Sequence, residues 1–282
     1  MTTTYSEAEI RSMVSQILGG LGSEPAGRPL PPSDIESTSP EAVFAVPAPA
    51  NKTAYMQMMQ LTSARIGVWR AGPRPTVKSL LRFRADHAGA MDAVFSDVDQ
   101  ALLERLGLFC VQSAAPDKAA YLMDPNLGAT FTPEVARQIK DHCTAGAQVQ
   151  IIVADGLSSA AVADNLPDIL PALEQGLKRQ GLSTGTNLFV KLGRVRIMDE
   201  VTALLGCSVT ALLVGERPGL VTNESLSCYM TYQGRPGMSE SSRTVISNIY
   251  RDGTAPVEAG AYIADIARKM IETKASGMDL KL

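Results

Sequence analysis

The chain of 282 residues carries 26 basic and 29 acidic side chains, a net charge of -3, and 45% of its residues are hydrophobic. These values are typical of a soluble globular protein that buries a sizeable core without disulfides or metals as staples, and no uncharged apolar run approaches the roughly 18 residues of a membrane span. The composition therefore argues against a membrane protein and against a general affinity for nucleic acid.

Residues 1–22 predict a separate amphipathic helix. Ser6 and Glu9 have the spacing of a capping box, and the apolar residues after them recur along one helical face: Ile10, Met13, Val14, Ile17, Leu18 and Leu21. Residues 23–54 are rich in proline and predict a flexible linker. A helix on such a tether is either a docking peptide for another protein or the first helix of the fold, and the linker favours docking.

Residues 55–147 predict a mainly helical region that begins with a basic cluster. A rigid turn at residues 70–76 contains glycine and two prolines, and Thr76 is placed to cap the helix that follows. The turn is suited to presenting Arg70 and Arg74 to a phosphate or a carboxylate, and the alternative is a solvated basic face or a subunit contact. Farther along, Thr132-Pro133 is typical of a helix start.

From residue 148 onward the pattern changes to alternating strands and helices. Strands are predicted at residues 149–153, 188–190, 209–214 and 229–232, and helices end near residues 181, 205 and 273. Two successive strand-helix-strand units imply right-handed crossovers and a parallel sheet. The predicted fold class is therefore α/β, with a Rossmann-like parallel sheet domain over residues 148–282, preceded by a helical N-terminal region.

The loops after the predicted strands are where a ligand is expected. These loops, residues 155–159, 193–195 and 215–219 with the segment 243–253, offer backbone amides, hydroxyls and isolated charges. The domain has neither a Gly-x-Gly-x-x-Gly fingerprint nor a Walker P-loop, and the loops hold no histidine, cysteine or paired carboxylates for acid-base or nucleophilic chemistry. The two histidines are interpreted as structural, and the four scattered cysteines as reduced and mostly buried. The sequence thus predicts a binder of a polar ligand, with no catalytic and no metal-ligating residue.

Six short motifs occur in an order known from one enzyme family. They are residues 70–75 (RAGPRP), 155–158 (DGLS), 214–219 (VGERPG), 224–227 (ESLS), 246–249 (ISNI) and 274–277 (KASG). From about Leu61 to the C-terminus the chain thereby resembles the small (light) subunit of ethanolamine ammonia-lyase, whereas the N-terminal helix and linker match only in kind.

The resemblance implies the small subunit of an adenosylcobalamin-dependent carbon-nitrogen lyase that converts ethanolamine to acetaldehyde and ammonia. A TIM-barrel large subunit would hold the substrate and most of the catalytic machinery, while the small subunit closes the cofactor site by binding and orientation. By motif position, the cobalamin contacts of the family fall on Val195, Glu216 and Val245. Val245 and Tyr250 depart from a cysteine and a histidine of family members, which favours a backbone or packing contact at Val245.

The resemblance also implies the form of the cofactor and a location. Mutases that bind cobalt through a protein histidine carry Asp-x-His-x-x-Gly, but here only Asp86-His87 and Asp141-His142 occur, which implies base-on adenosylcobalamin. The N-terminal helix resembles encapsulation peptides, which implies contact with a shell protein and a cytoplasmic location within the lumen of a bacterial microcompartment. The alternative from another class is a free-standing Rossmann-like module that binds a nucleotide-like ligand without catalysis.

Overall fold

The computed structural model describes residues 44–62 and 64–281. The predicted amphipathic helix of residues 1–22 and most of the predicted linker lie outside the described residues. The chain divides into two compact units, Met1–Ser79 and Leu80–Leu282.

The described residues of the first unit form a helix and a short hairpin. Helix α1 is Lys52–Leu61, and strands β1 (Arg70–Ala71) and β2 (Arg74–Pro75) pair antiparallel. Gly72 between the strands has a φ of +61°, a left-handed conformation that glycine adopts at little cost. Both strands are exposed. The predicted rigid turn is therefore a hairpin that presents one arginine from each strand.

Four helices precede or flank the first strand of the main sheet. They are α2 (Val77–Phe95), α3 (Gln100–Arg105), α4 (Lys118–Met123) and α5 (Pro133–His142). The two predicted helix starts are confirmed. Thr76 Oγ1 accepts the amide of Ser79 at 3.5 Å, and Thr132 Oγ1 accepts the amide of Val135 at 3.4 Å.

A six-stranded sheet forms the centre of the second unit. Its strands are β3 (Phe109–Gln112), β4 (Val149–Ala154), β5 (Leu188–Lys191), β6 (Val209–Gly215), β7 (Leu226–Tyr232) and β8 (Thr244–Ile249). Their order is β3-β5-β4-β6-β7-β8, in which the first four are parallel and the last two antiparallel to their neighbours. The predicted α/β fold with a Rossmann-like sheet is confirmed, and two antiparallel strands extend it.

Helices cover both faces of this sheet. The remaining helices are α6 (Ser159–Arg179), α7 (Ile197–Leu205) and α8 (Pro256–Thr273). One core cluster joins α6 and α8 to Ala211 and Leu213 of β6, and the other joins α5 and α7 to Leu212 and Val214. Because both faces are covered, β4 and β6 are buried along their length, which explains why their sequences are mostly apolar and carry no charge. Within residues 44–62 and 64–281, every helix is too short or too polar to cross a lipid bilayer.

Two edge strands are absent from the sequence prediction. Strand β3 lies in the segment predicted as mainly helical, and only Val111 among its four residues is buried. Strand β8 lies in the segment interpreted as a loop, and only Ile249 is buried. Both strands stand at an edge of the sheet. Strand β3 has only four residues in a segment with helical patterns, and β8 lacks the strict alternation that reveals a strand in a sequence.

Candidate functional site

Asp155 ties together two loops at the carboxyl edge of the sheet. It follows β4, is buried, and its Oδ1 accepts the amide of Leu192, just after β5, at 2.7 Å. Its Oδ2 lies 3.9 Å from Lys118 Nζ. Burial raises the pKa of Asp155 to about 6, although Lys118 and backbone amides act in the opposite direction. Leu192 has a φ of +57°, so the hydrogen bond to Asp155 holds a strained backbone in place.

Tyr121 fills the space between the same loops. Its hydroxyl lies 2.8 Å from the carbonyl oxygen of Gly156 and 3.2 Å from that of Gly193, and its side chain is fully buried. The guanidinium of Arg194 lies over the ring, 4.1 Å from the centroid. The crevice between the ends of β4 and β5 is therefore occupied by protein side chains.

A cavity of about 350 Å³ lies instead beside β6, β7 and β8. Its lining residues are Glu216, Arg217, Gly219, Leu220, Val221, Thr222, Ser225, Ser227, Ser247 and Asn248. Ser227 is 0% exposed, and its hydroxyl has no hydrogen-bond partner among the residues that the structure describes. A buried hydroxyl without a partner is costly, so a polar ligand group in the cavity would recover a missing interaction.

Glu216 stands at the rim of this cavity, directly after β6. Its Oε1 accepts a hydrogen bond from the hydroxyl of Tyr229 at 2.9 Å, and its amide donates to Ser225 O at 3.1 Å. Burial, and then the hydrogen bond to Glu216, raise the pKa of Tyr229 to about 12, so the phenol keeps its proton at neutral pH. The Tyr229 hydroxyl is therefore always able to donate its hydrogen bond to the Glu216 carboxylate.

Val245 and Val195 lie on the same face of the sheet as Tyr229. Val245 pairs with Tyr229 in the register of β7 and β8, and 46% of it is exposed. Val195, in the turn after β5, packs with Tyr229 against the core cluster of α5 and α7. The structure therefore brings Glu216 and Val245 to Tyr229, and it places Val195 on the same face. Their role as cobalamin contacts stays a prediction.

Comparison with known proteins identifies the family. The family model of the ethanolamine ammonia-lyase light chain matches residues 52–281. The chain belongs to this family. It is 46% identical over 280 residues to the ethanolamine ammonia-lyase small subunit of Listeria monocytogenes serotype 4b, with 99% of this chain and 92% of the relative covered. The corresponding subunit of Clostridium tetani is 45% identical over 294 residues, covering 99% of this chain and all of the relative. The corresponding subunit of Clostridioides difficile is 48% identical over 248 residues, covering 88% of this chain and 85% of the relative.

Membership of the ethanolamine ammonia-lyase light chain family confirms the resemblance and makes the chain a subunit of a carbon-nitrogen lyase. The sequence motifs of this family contain Glu216, Ser227 and Asn248. They do not reveal that Ser227 is buried without a partner or that Tyr229 holds Glu216, because both facts depend on the pairing of β6, β7 and β8. In the part of the chain that the structure describes, no three histidine, cysteine or carboxylate side chains are grouped to hold a metal ion.

Proposed function

We propose that this chain acts with a large subunit, binds base-on adenosylcobalamin with it, and takes part in the conversion of ethanolamine to acetaldehyde and ammonia. The contacts on this chain are Val195, Glu216 and Val245, at and beside the cavity of β6, β7 and β8. The observation that carries the proposal is the meeting of two separate motifs. Glu216 follows β6 and Val245 lies on β8, yet both contact positions adjoin Tyr229 next to a cavity with an unpaired buried hydroxyl.

The residues present suit a corrinoid. Cobalamin combines an apolar ring surface with amide side chains around its rim. The half-exposed Val245 offers apolar surface to a ring, while the Ser227 hydroxyl and the second carboxylate oxygen of Glu216 are suited to amide groups. A cavity of about 350 Å³ has room for groups at the rim of so large a molecule and not for the whole. This size supports a site that a second subunit completes.

In this proposal the residues of this chain bind and orient the cofactor, and they do not supply reactive groups. The bound cofactor supplies the radical chemistry of the reaction. Tyr229 donates to one oxygen of Glu216 and so orients the carboxylate, whose other oxygen would accept a hydrogen bond from a ligand amide. The packed loops of β4 and β5, joined by Asp155 and Tyr121, provide a rigid base for the turn that carries Val195.

The test is Glu216→Ala in a complex co-expressed with the large subunit. Loss of a charge-assisted hydrogen bond of about 1.5–3 kcal/mol is expected to weaken cobalamin binding at least about tenfold, with subunit assembly unchanged. Cobalamin affinity is measured by absorbance titration and assembly by analytical ultracentrifugation. Unchanged affinity in the assembled complex would count against the site. A chain that stays monomeric, ignores the large subunit and binds no corrinoid would favour the nucleotide-binding module instead.

We further propose that residues 1–22 attach the enzyme to a shell protein of a bacterial microcompartment. The support is the apolar stripe and the proline-rich segment after it, which are typical of a tethered docking helix. Deletion of residues 1–22 is expected to leave lyase activity intact and to abolish co-purification with shell protein. A deletion variant that still co-purifies would reject this role.

A further inference from the structure

A buried ion pair joins α7 to the segment just before β8. Arg243 donates from Nη1 to Asp199 Oδ1 at 2.9 Å and from Nη2 to Asp199 Oδ2 at 2.8 Å, and the two side chains are 1% and 4% exposed. Arg243 Nε also donates to Glu240 Oε2 at 2.7 Å, and Glu240 Oε1 accepts from Arg196 Nε at 2.8 Å. The outer two side chains are exposed, so the Arg243–Asp199 pair is the buried centre of this network.

Each member of the pair lies close in sequence to a proposed cofactor contact. Arg243 precedes Val245 by two residues in extended backbone, so both side chains share one face of the sheet. Asp199 lies in the first turn of α7, four residues after Val195. The ion pair therefore links the chain segment of one contact to the chain segment of the other.

The pairing of strand β8 with its neighbour leaves part of its position to other contacts. Among the six strands, β8 pairs with β7 alone, although Thr254 N also donates to Asn248 O at 2.8 Å, and its register with β7 shifts between Leu226 and Cys228. Edge strands with an irregular register are poorly specified by their hydrogen bonds alone. A bidentate guanidinium-carboxylate pair accepts only a narrow range of geometries, so it fixes position as well as distance.

The buried Arg243–Asp199 pair is expected to add little to the free energy of unfolding. Two charges lose their hydration on burial, and replacement of a whole buried pair by apolar side chains of similar volume is often neutral or stabilising. What the pair adds is a defined position of β8 relative to α7.

We propose that Asp199 and Arg243 are positioning residues that hold Val245 at its place beside Tyr229, and so set the affinity for the corrinoid. Both side chains are buried, so they act through Val245 and not by contact with the cofactor. This inference rests on the proposed function, because Val195 and Val245 are the contacts it positions.

The test replaces both charges together, Asp199→Leu with Arg243→Met, in the complex with the large subunit. No charge is left unpaired, so the thermal midpoint is expected to stay at or above that of the unaltered complex. The cobalamin dissociation constant from absorbance titration is expected to rise about tenfold, within the range of coupling by residues that touch no ligand. The KM for cobalamin should rise by the same factor, while kcat at saturating cobalamin should stay unchanged.

The matched control is Arg268→Met with Glu272→Leu, an exposed pair on α8 with an N–O distance of 2.7 Å. It is expected to change neither cobalamin affinity nor assembly. A folded Asp199→Leu, Arg243→Met complex with unaltered cobalamin affinity overturns the proposal.

A second variant decides the matter if the double replacement does not assemble. Arg243→Lys keeps the charge but loses the planar fork that spans Asp199 and Glu240, and it is expected to weaken cobalamin binding about threefold. Unaltered affinity would again overturn the proposal.

If the unaltered complex binds no cobalamin, the proposed function fails, and hydrogen exchange still tests whether the ion pair positions β8. The amides of residues 245–249 should exchange faster in either variant, and unchanged rates would reject a positioning role.

Discussion

Replacement of Ser227 by alanine is expected to stabilise the protein and to weaken cobalamin binding. The Ser227 hydroxyl is fully buried and has no partner among the described residues. Its removal relieves a desolvation cost of about 1–3 kcal/mol and opens only a small void. We therefore expect the free energy of unfolding to rise by about 1 kcal/mol, which corresponds to about 2–4 °C in the thermal midpoint of a protein of this size.

The same substitution removes a hydrogen-bonding group from the cavity. A neutral hydrogen bond contributes about 0.5–1.5 kcal/mol net, so cobalamin affinity in the assembled complex should fall about 2- to 10-fold. Calorimetry of the cobalamin-free complex and absorbance titration with cobalamin measure the two effects separately. A rise in stability together with a fall in cobalamin affinity distinguishes loss of a ligand contact from damage to the fold, because damage to the fold lowers both quantities.

Thr231→Val is the matched control. Thr231 lies on the same strand, β7, is also fully buried, and its hydroxyl likewise has no partner among the described residues, but it does not line the cavity. It should raise stability by a similar amount and leave cobalamin affinity unchanged. A loss of stability in Ser227→Ala would show that the hydroxyl is already paired, and unchanged affinity would show that no ligand group reaches it.

Two further substitutions test the neighbours of the site. Tyr229→Phe removes the donor to Glu216 and keeps the ring, so cobalamin affinity should fall about tenfold in the same titration; an unaltered value would separate Glu216 from the site. Asp155→Asn tests the raised pKa of about 6. The raised pKa means that the folded protein binds a proton at Asp155 more tightly than the unfolded chain does. The free energy of unfolding of the unaltered protein, relative to that of the Asn variant, should therefore fall by about 2–3 kcal/mol as the pH rises from about 4 to 6.5. A stability difference that does not change with pH, measured by urea unfolding, would contradict the assigned pKa.

The buried parts of the sheet were accessible to prediction from the sequence. Strands β4 and β6 are covered on both faces, so each reads as a mostly apolar run without charge and with a turn at its end. The position of Glu216 directly after β6 follows from that pattern alone. Long helices such as α6 and α8 were equally clear, because their apolar residues recur at helical spacing and face one side of the sheet.

The edge of the sheet and the centre of the site were not accessible in this way. Strand β8 has one buried residue, and its register with β7, like the Arg243–Asp199 contact beside it, arises only when the elements meet in three dimensions. The same holds for Ser227, whose hydroxyl is left without a partner, and for Tyr229, whose hydroxyl meets Glu216, because both facts depend on the pairing of β6, β7 and β8. Local patterns predict which residues form an element, but they do not predict which polar group is left unpaired when the elements meet.

The place of the candidate site follows from what fills the crevice where an open parallel sheet usually binds its ligand. That crevice lies between β4 and β5, whose following helices α6 and α7 lie on opposite faces. Here Tyr121 and Asp155 close it with hydrogen bonds to both loops. The available surface is displaced to the antiparallel edge, where Val245 stays half exposed beside a cavity with an unpaired hydroxyl. This chain therefore supplies only one side of a binding site and leaves a polar group in it unsatisfied. For this reason we expect the complex to bind cobalamin, and the small subunit without its partner to bind little.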